Sequence, residues 1–296
     1  MPTRVPGVVL VQTTDFFYPN VEDPYEQGRI ACANVLSDLY SMGVAECDNM
    51  LMLLGVCTDL DAATERQVVT RLMIQGFHDQ AATAGCSVTG GQTVLSPWMI
   101  IGGVASCVCA QADVRMPVSA AVGDVLVLTK PLGTQVAANA HQWLRAKGRG
   151  QPVGEKWDKI KGVVSEAEVV TAFAAAQRNM TRLNRNAAKC MHEFGAHAST
   201  DVTGFGLLGH AQNLAGNQLA DVAFRFHTIP VIRGMLAAAA QTTFKLREGL
   251  SAETSGGLLV ALPREQALLF IAKLEELDHE PAWIIGDVIV GTDNKM

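Results

Sequence analysis

The chain has 296 residues and carries 23 Lys and Arg against 29 Asp and Glu, a formal net charge of −6. That balance argues against nucleic-acid binding as the main business, and no basic cluster interleaved with aromatics restores the idea. Hydrophobic residues make up 49% and aromatics only 6%, an enzyme-like α/β balance in a chain long enough for two domains with cores of their own.

Residues 8–12, Val-Val-Leu-Val-Gln, are apolar and rich in β-branched side chains, so they read as a buried strand delivering Asp15 at its end. Residues 25–42 read as a helix, with Gly43 placed to stop it. An apolar strand is expected over 49–56. A helix is expected from about Ala62 to Ala84, with Val68, Val69, Leu72, Met73 and Phe77 at helical spacing. Residues 99–108 form the next strand, where Gly102-Gly103 marks a bulge or a close approach. Cys107-Val108-Cys109 is expected to point its two thiols to opposite faces of that strand.

The best boundary lies within 113–120, dividing the chain into domains over 1–116 and 117–296. A second series opens with a strand at 124–129. Residues 147–158 are polar and rich in Gly, Pro and charge, so a surface loop is expected there. One long helical pattern covers 165–194, and strands follow at Val222–Phe226, 258–262 and Trp283–Val290. No internal repeat, signal peptide or membrane-length apolar run is visible. The seven cysteines are scattered among apolar neighbours and read as buried thiols of a reducing, cytoplasmic protein.

The chemistry concentrates near the start. Asn34 and Asp38 are four residues apart and share one helical face, among Ile30, Ala31, Ala33, Val35, Leu36 and Leu39. An ionised Asp on such a helix is costly to bury without a cation or donors. With Asp15 they supply three oxygen donors and no Cys or His, a set that suits Mg²⁺ carrying a phosphate substrate. The plainer alternative makes Asp15 a turn or cap residue and lets Asn34 and Asp38 bond one another or a backbone group.

Gly204-Phe205-Gly206-Leu207-Leu208-Gly209 matches G-x-G-x-x-G. The helix side of a dinucleotide fingerprint fits, but the polar stretch before it does not read as the required strand. Asp201 is either a cap for that helix or a fourth oxygen ligand at its mouth. Gly90-Gly91-Gln92-Thr93 and Thr254-Ser255-Gly256-Gly257 read as compact turns, either ordinary ones or phosphate cradles. Lys130 stands between a strand and a helix start, where the helix dipole favours anions.

Taken together, these segments resemble selenophosphate synthetase (selenide, water dikinase). The resemblance rests on Thr13-Thr14-Asp15-Phe16-Phe17, residues 28–43, Thr89-Gly90-Gly91-Gln92-Thr93, and residues 129–133, 200–210 and 254–259. Residues 31–40 and 47–55 are similar to the eukaryotic branch. The resemblance implies an α/β (α+β), two-domain aminoimidazole ribonucleotide synthetase-like fold, whose N-terminal sheet completes a β-barrel with a dimer mate. It implies a phosphotransferase that makes selenophosphate from selenide, ATP and water with Mg²⁺, releasing AMP and orthophosphate. Asp15, Asn34, Asp38 and Asp201 would hold Mg²⁺; Asp15, Asp38, Gly90, Gly91, Gln92 and Thr93 would meet ATP. ATP and selenide are the implied small molecules, and selenocysteine-synthesis proteins are candidate partners, with neither nucleic acid nor membrane expected.

The chain departs from the family in one respect. The family's glycine-rich segment with a Cys or selenocysteine, a nearby Lys and a further Asp has no counterpart here. No catalytic residue is therefore assigned, a truncated form is expected, and the chain alone is expected to be inactive. The alternative function is a non-catalytic paralogue that binds nucleotide or regulates a partner in selenium or redox metabolism.

Overall fold

The computed structural model describes residues 1–61, 64–149 and 152–291. In chain order its first elements are β1 (Val8–Phe17), α1 (Pro24–Ser41), β2 (Asn49–Cys57), α2 (Glu65–Thr83), β3 (Val88–Ser96) and β4 (Ile100–Ala110). Then come β5 (Asp124–Leu128), α3 (Thr134–Ala146), α4 (Pro152–Glu155), α5 (Trp157–Ile160), α6 (Glu166–Thr181), α7 (Arg185–Glu193) and β6 (Ala198–Asp201). The chain closes with α8 (Gly206–Gly216), β7 (Val222–Phe226), α9 (Met235–Ala239), β8 (Leu258–Pro263), α10 (Arg264–Asp278) and β9 (Trp283–Val290). Two compact units result: Met1–Arg115 with Thr181–Glu193, and Met116–Met180 with the chain from Phe194 onward.

The first unit is a four-stranded sheet, order β1-β4-β2-β3, in which only β2 and β3 run parallel. Helix α1 starts because Asp23 accepts hydrogen bonds from the amides of Tyr25 (2.8 Å) and Glu26 (3.4 Å), with Pro24 already holding a helical φ. It ends where Gly43 turns to φ +74° and its amide bonds to the Tyr40 carbonyl. Helices α1 and α2 cross at two glycines. A Cβ on Gly28 would lie 2.1 Å from the Met73 carbonyl oxygen, and one on Gly76 would lie 1.9 Å from that of Tyr25. Leu36, Leu39, Tyr40, Met50, Met73, Phe77 and Ile101 fill the space between helices and sheet, all fully buried. The expected start of α2 at Ala62 lies outside the described residues.

The second unit carries a five-stranded sheet, order β6-β8-β5-β9-β7, antiparallel at every pairing. Strand β5 is buried along its whole length, as the apolar run over 125–128 requires.

Several expectations need correction. Asp15 sits inside β1 rather than at its end. Gly102-Gly103 is a close approach without a bulge: a Cβ on Gly102 would lie 2.0 Å from the Asp15 carbonyl oxygen, while the register with β1 runs unbroken. Cys107 and Cys109, two residues apart in a strand of period two, share one face. Over 147–158 the described residues form α4 and α5, anchored by Trp157 and Ile160, which are buried despite their polar neighbours. The single helix over 165–194 is two helices. The break falls at Asn184, whose carbonyl accepts from the Ala188 amide to begin α7.

Candidate active site

In the first unit, β1 and α1 bring Asp15, Asn34 and Asp38 together. Thr13 and Asp15, two apart on β1, face the helix. The Asn34 side-chain amide donates to the Asp15 carboxylate, and the Thr13 hydroxyl donates to Asp38. Asn34 is buried, whereas Asp38 is the one exposed residue between Ile30 and Ser41. Burial first, and the neighbouring Asp38 charge second, raise the Asp15 carboxyl above its usual range, against the pull of the Phe16 amide and Asn34. Two like charges are thus held close on a partly dry surface. Thr13 was not singled out from sequence; its spacing of two from Asp15 on a strand was the available signal.

These oxygen donors fit Mg²⁺ in chemistry. Among the described residues no group of three or more His, Cys, Asp and Glu is placed to hold a metal. Two carboxylates and an amide oxygen make a partial set, which is the usual arrangement where phosphates and water complete the octahedron. Asn34 would turn its oxygen inward to join them, an exchange of O for N that its side chain permits.

Gly90, Gly91, Gln92 and Thr93 are not a turn. They lie in β3, exposed along the free edge of the sheet. Gly91 has φ +140°, and a Cβ there would lie 1.8 Å from the Met52 carbonyl oxygen, so only glycine fits. A bulge opposite Met50 and Leu51 leaves Thr89 as the extra residue, and its hydroxyl bonds to Asn49. Asp15 pairs with Gly103, Gly103 with Met52, and Met52 with Gly91. The acidic cluster and the glycine edge therefore share one rung, three strand spacings or about 14 Å apart.

In the second unit three segments noted separately in the sequence come together. Asp201 ends β6 and is buried. It does not cap α8, whose N-cap is Phe205. A strand does form before the glycine motif, but it pairs antiparallel with β8, which removes the dinucleotide reading. The Val202 amide donates to the Gly257 carbonyl at 2.9 Å, and a Cβ on Gly256 would lie 2.0 Å from the Val202 oxygen. Lys130, 1% exposed, donates from Nζ to the Ser255 carbonyl at 2.9 Å. The N-terminus of α3 does attract an anion, and that anion is the chain's own Glu253. Its carboxylate accepts from the Gly133 amide at 2.6 Å, the Thr134 amide at 2.9 Å, and the Thr134 hydroxyl. Burial pushes this carboxyl up to about 7 despite those three bonds.

Comparison with known proteins gives this arrangement its class. Residues 3–109 match the AIR synthase related protein, N-terminal domain, and residues 121–296 match its C-terminal domain. The structure of a hydrogenase maturation protein HypE in complex with ATP superposes with a TM-score of 0.69 at 20% identity, covering 98% of this chain and 78% of that one. Selenide, water dikinase 2 of Mus musculus is 59% identical over 98% of this chain, and the chain spans 64% of that relative's length. Selenide, water dikinase of Dictyostelium discoideum is 53% identical over 99% of this chain and 79% of its own length. The chain belongs to the AIR synthase related family and, within it, to the selenide, water dikinases.

Proposed function

We propose that the protein to which this chain belongs makes selenophosphate from selenide, ATP and water, releasing AMP and orthophosphate. The observation that carries the reading is the acidic cluster of Asp15, Asn34 and Asp38 in a chain with these relatives. Bound Mg²⁺ would neutralise the triphosphate and the charge that develops on the transferring phosphoryl groups. Asp15, Asn34 and Asp38 would hold that cation, the Asn34 side chain exchanging its present donation to Asp15 for ligation through its oxygen. The raised Asp15 carboxyl makes protons compete with the metal, so metal affinity falls as pH falls. We place Gly90 to Thr93 along the nucleotide; a ligand role for Asp201, which ends β6 in the second unit, is what the family resemblance alone implies. ATP in the HypE complex supports a nucleotide role for this fold.

The test incubates the chain, joined to the family's glycine-rich segment with its Cys or selenocysteine and Lys, with selenide, ATP and Mg²⁺, reading AMP and the phosphorus resonance of selenophosphate. Both products are expected together. ATP binding without AMP would favour the non-catalytic, partner-regulating reading.

We also propose a homodimer formed through the first unit's sheet. Its helix-free face carries Phe16, Val94 and Val108, each more than half exposed, beside Leu10, Leu51, Leu53 and Val104. Such a face needs a cover, and a second copy can close both sheets into a barrel. Light scattering should give twice the chain mass at micromolar concentration; a monomer there would remove the proposal. Seven free cysteines support a reducing, cytoplasmic setting, and selenocysteine-synthesis proteins remain the proposed downstream partners. No helix among the described residues is long and apolar enough to cross a membrane.

A further inference from the structure

Cys47 and Cys86 stand where the chain runs into two neighbouring parallel strands. Each lies two residues before its strand, β2 starting at Asn49 and β3 at Val88. Because Met50 pairs with Val88, the two loops arrive side by side, and the Met50 amide bonds to the Ser87 carbonyl at 3.2 Å. The Cys86 thiol meets Cys47 Sγ at 3.3 Å. A disulfide needs about 2.05 Å between sulfurs. Closing the gap asks little of the fold, since neither residue is in a helix or strand. Their chain neighbours Glu46, Asp48, Gly85 and Ser87 are all exposed.

We propose that Cys47 and Cys86 form a reversible thiol–disulfide site, closed by a peroxide and reopened by a dithiol. In the first step one sulfur attacks the peroxide, the O–O bond breaks, and a sulfenic acid forms with release of one water. The second sulfur then attacks the sulfenic sulfur, the S–O bond breaks, and a second water leaves. The two thiols supply two electrons and two protons, and hydrogen peroxide becomes two waters.

The other thiols are less suited. Cys107 and Cys109 are successive same-face residues of one rigid strand, with Cα atoms about 6.8 Å apart, at the limit for a disulfide. Cys32 packs its sulfur on Met50 Sδ at 3.7 Å inside the core. Burial raises the Cys86 thiol and pushes that of Cys47 up to about 12, so little thiolate exists at neutral pH. Closure should therefore be slow, and bulky alkylating reagents slower still.

The test treats the reduced chain with hydrogen peroxide, blocks remaining thiols with N-ethylmaleimide in denaturant, and digests without reductant. Trypsin separates the two cysteines, because Arg66 and Arg71 lie between them. Each peptide carries other cysteines too, so fragmentation must place the link. The expected product is a Cys47–Cys86 cross-link two hydrogens lighter than its free peptides, lost on adding dithiothreitol. Both sites should lose label together, and Cys86→Ser should abolish the link. Full labelling of both sites after peroxide, separate over-oxidation of each, or a link between Cys107 and Cys109 instead would overturn the proposal.

Discussion

Asp38→Asn should weaken Mg²⁺-dependent ATP binding about 10- to 100-fold, the loss seen when even an outer-shell partner of a metal site is removed. The fold should survive intact. Asp38 is exposed, and its carboxylate adds repulsion to the partly buried Asp15. An asparagine removes that repulsion and still accepts from the Thr13 hydroxyl. Calorimetric titration of the nucleotide, paired with urea unfolding, separates the two effects. Unchanged affinity with a large loss of stability would make Asp38 a structural residue.

The second large effect belongs to Glu253. Its folded-state pKa is raised from 4.5 to about 7, so folding favours the protonated carboxyl. The stabilisation this gives is complete below pH 4.5 and is lost as pH rises through 7. At about 1.36 kcal/mol per unit, the swing is on the order of 3 kcal/mol. Unfolding midpoints of the wild-type chain should fall from about pH 5 to about pH 8, and Glu253→Gln should flatten that slope. Glu253→Ala should cost about 3 kcal/mol or more, because it strands the buried amides of Gly133 and Thr134. A pH profile unaltered by Glu253→Gln would show that another group controls it.

Legibility in the sequence followed the physics of each segment. Strands β5, β7, β8 and β9 announce themselves as short runs dominated by apolar residues, and α1 by its apolar helical stretch and its terminal glycine. Asp15, Asn34 and Asp38 were readable because period two and period 3.6 each put charge on an apolar face. Strand β3 was not, since Thr89-Gly90-Gly91-Gln92 has no apolar pattern; its pairing with β2 makes it a strand, and Gly91 serves backbone contact with Met52. Strand β6 is likewise polar and is held by β8. The Glu253 contact joins residues 119 and 120 apart in the chain, beyond any local pattern. Cys32 is core packing: it is fully buried, and burial raises its thiol far above the ordinary range.

One titration tests the metal-dependent nucleotide site most directly. ATP is titrated into the protein with excess Mg²⁺ and again with a chelator, for the wild type and for Asp15→Asn. Binding is expected only with Mg²⁺, and it should weaken in the variant even though the substituted amide can still pair with Asn34. Equal ATP affinity with and without Mg²⁺, unaffected by Asp15→Asn, would contradict the assignment of Asp15, Asn34 and Asp38.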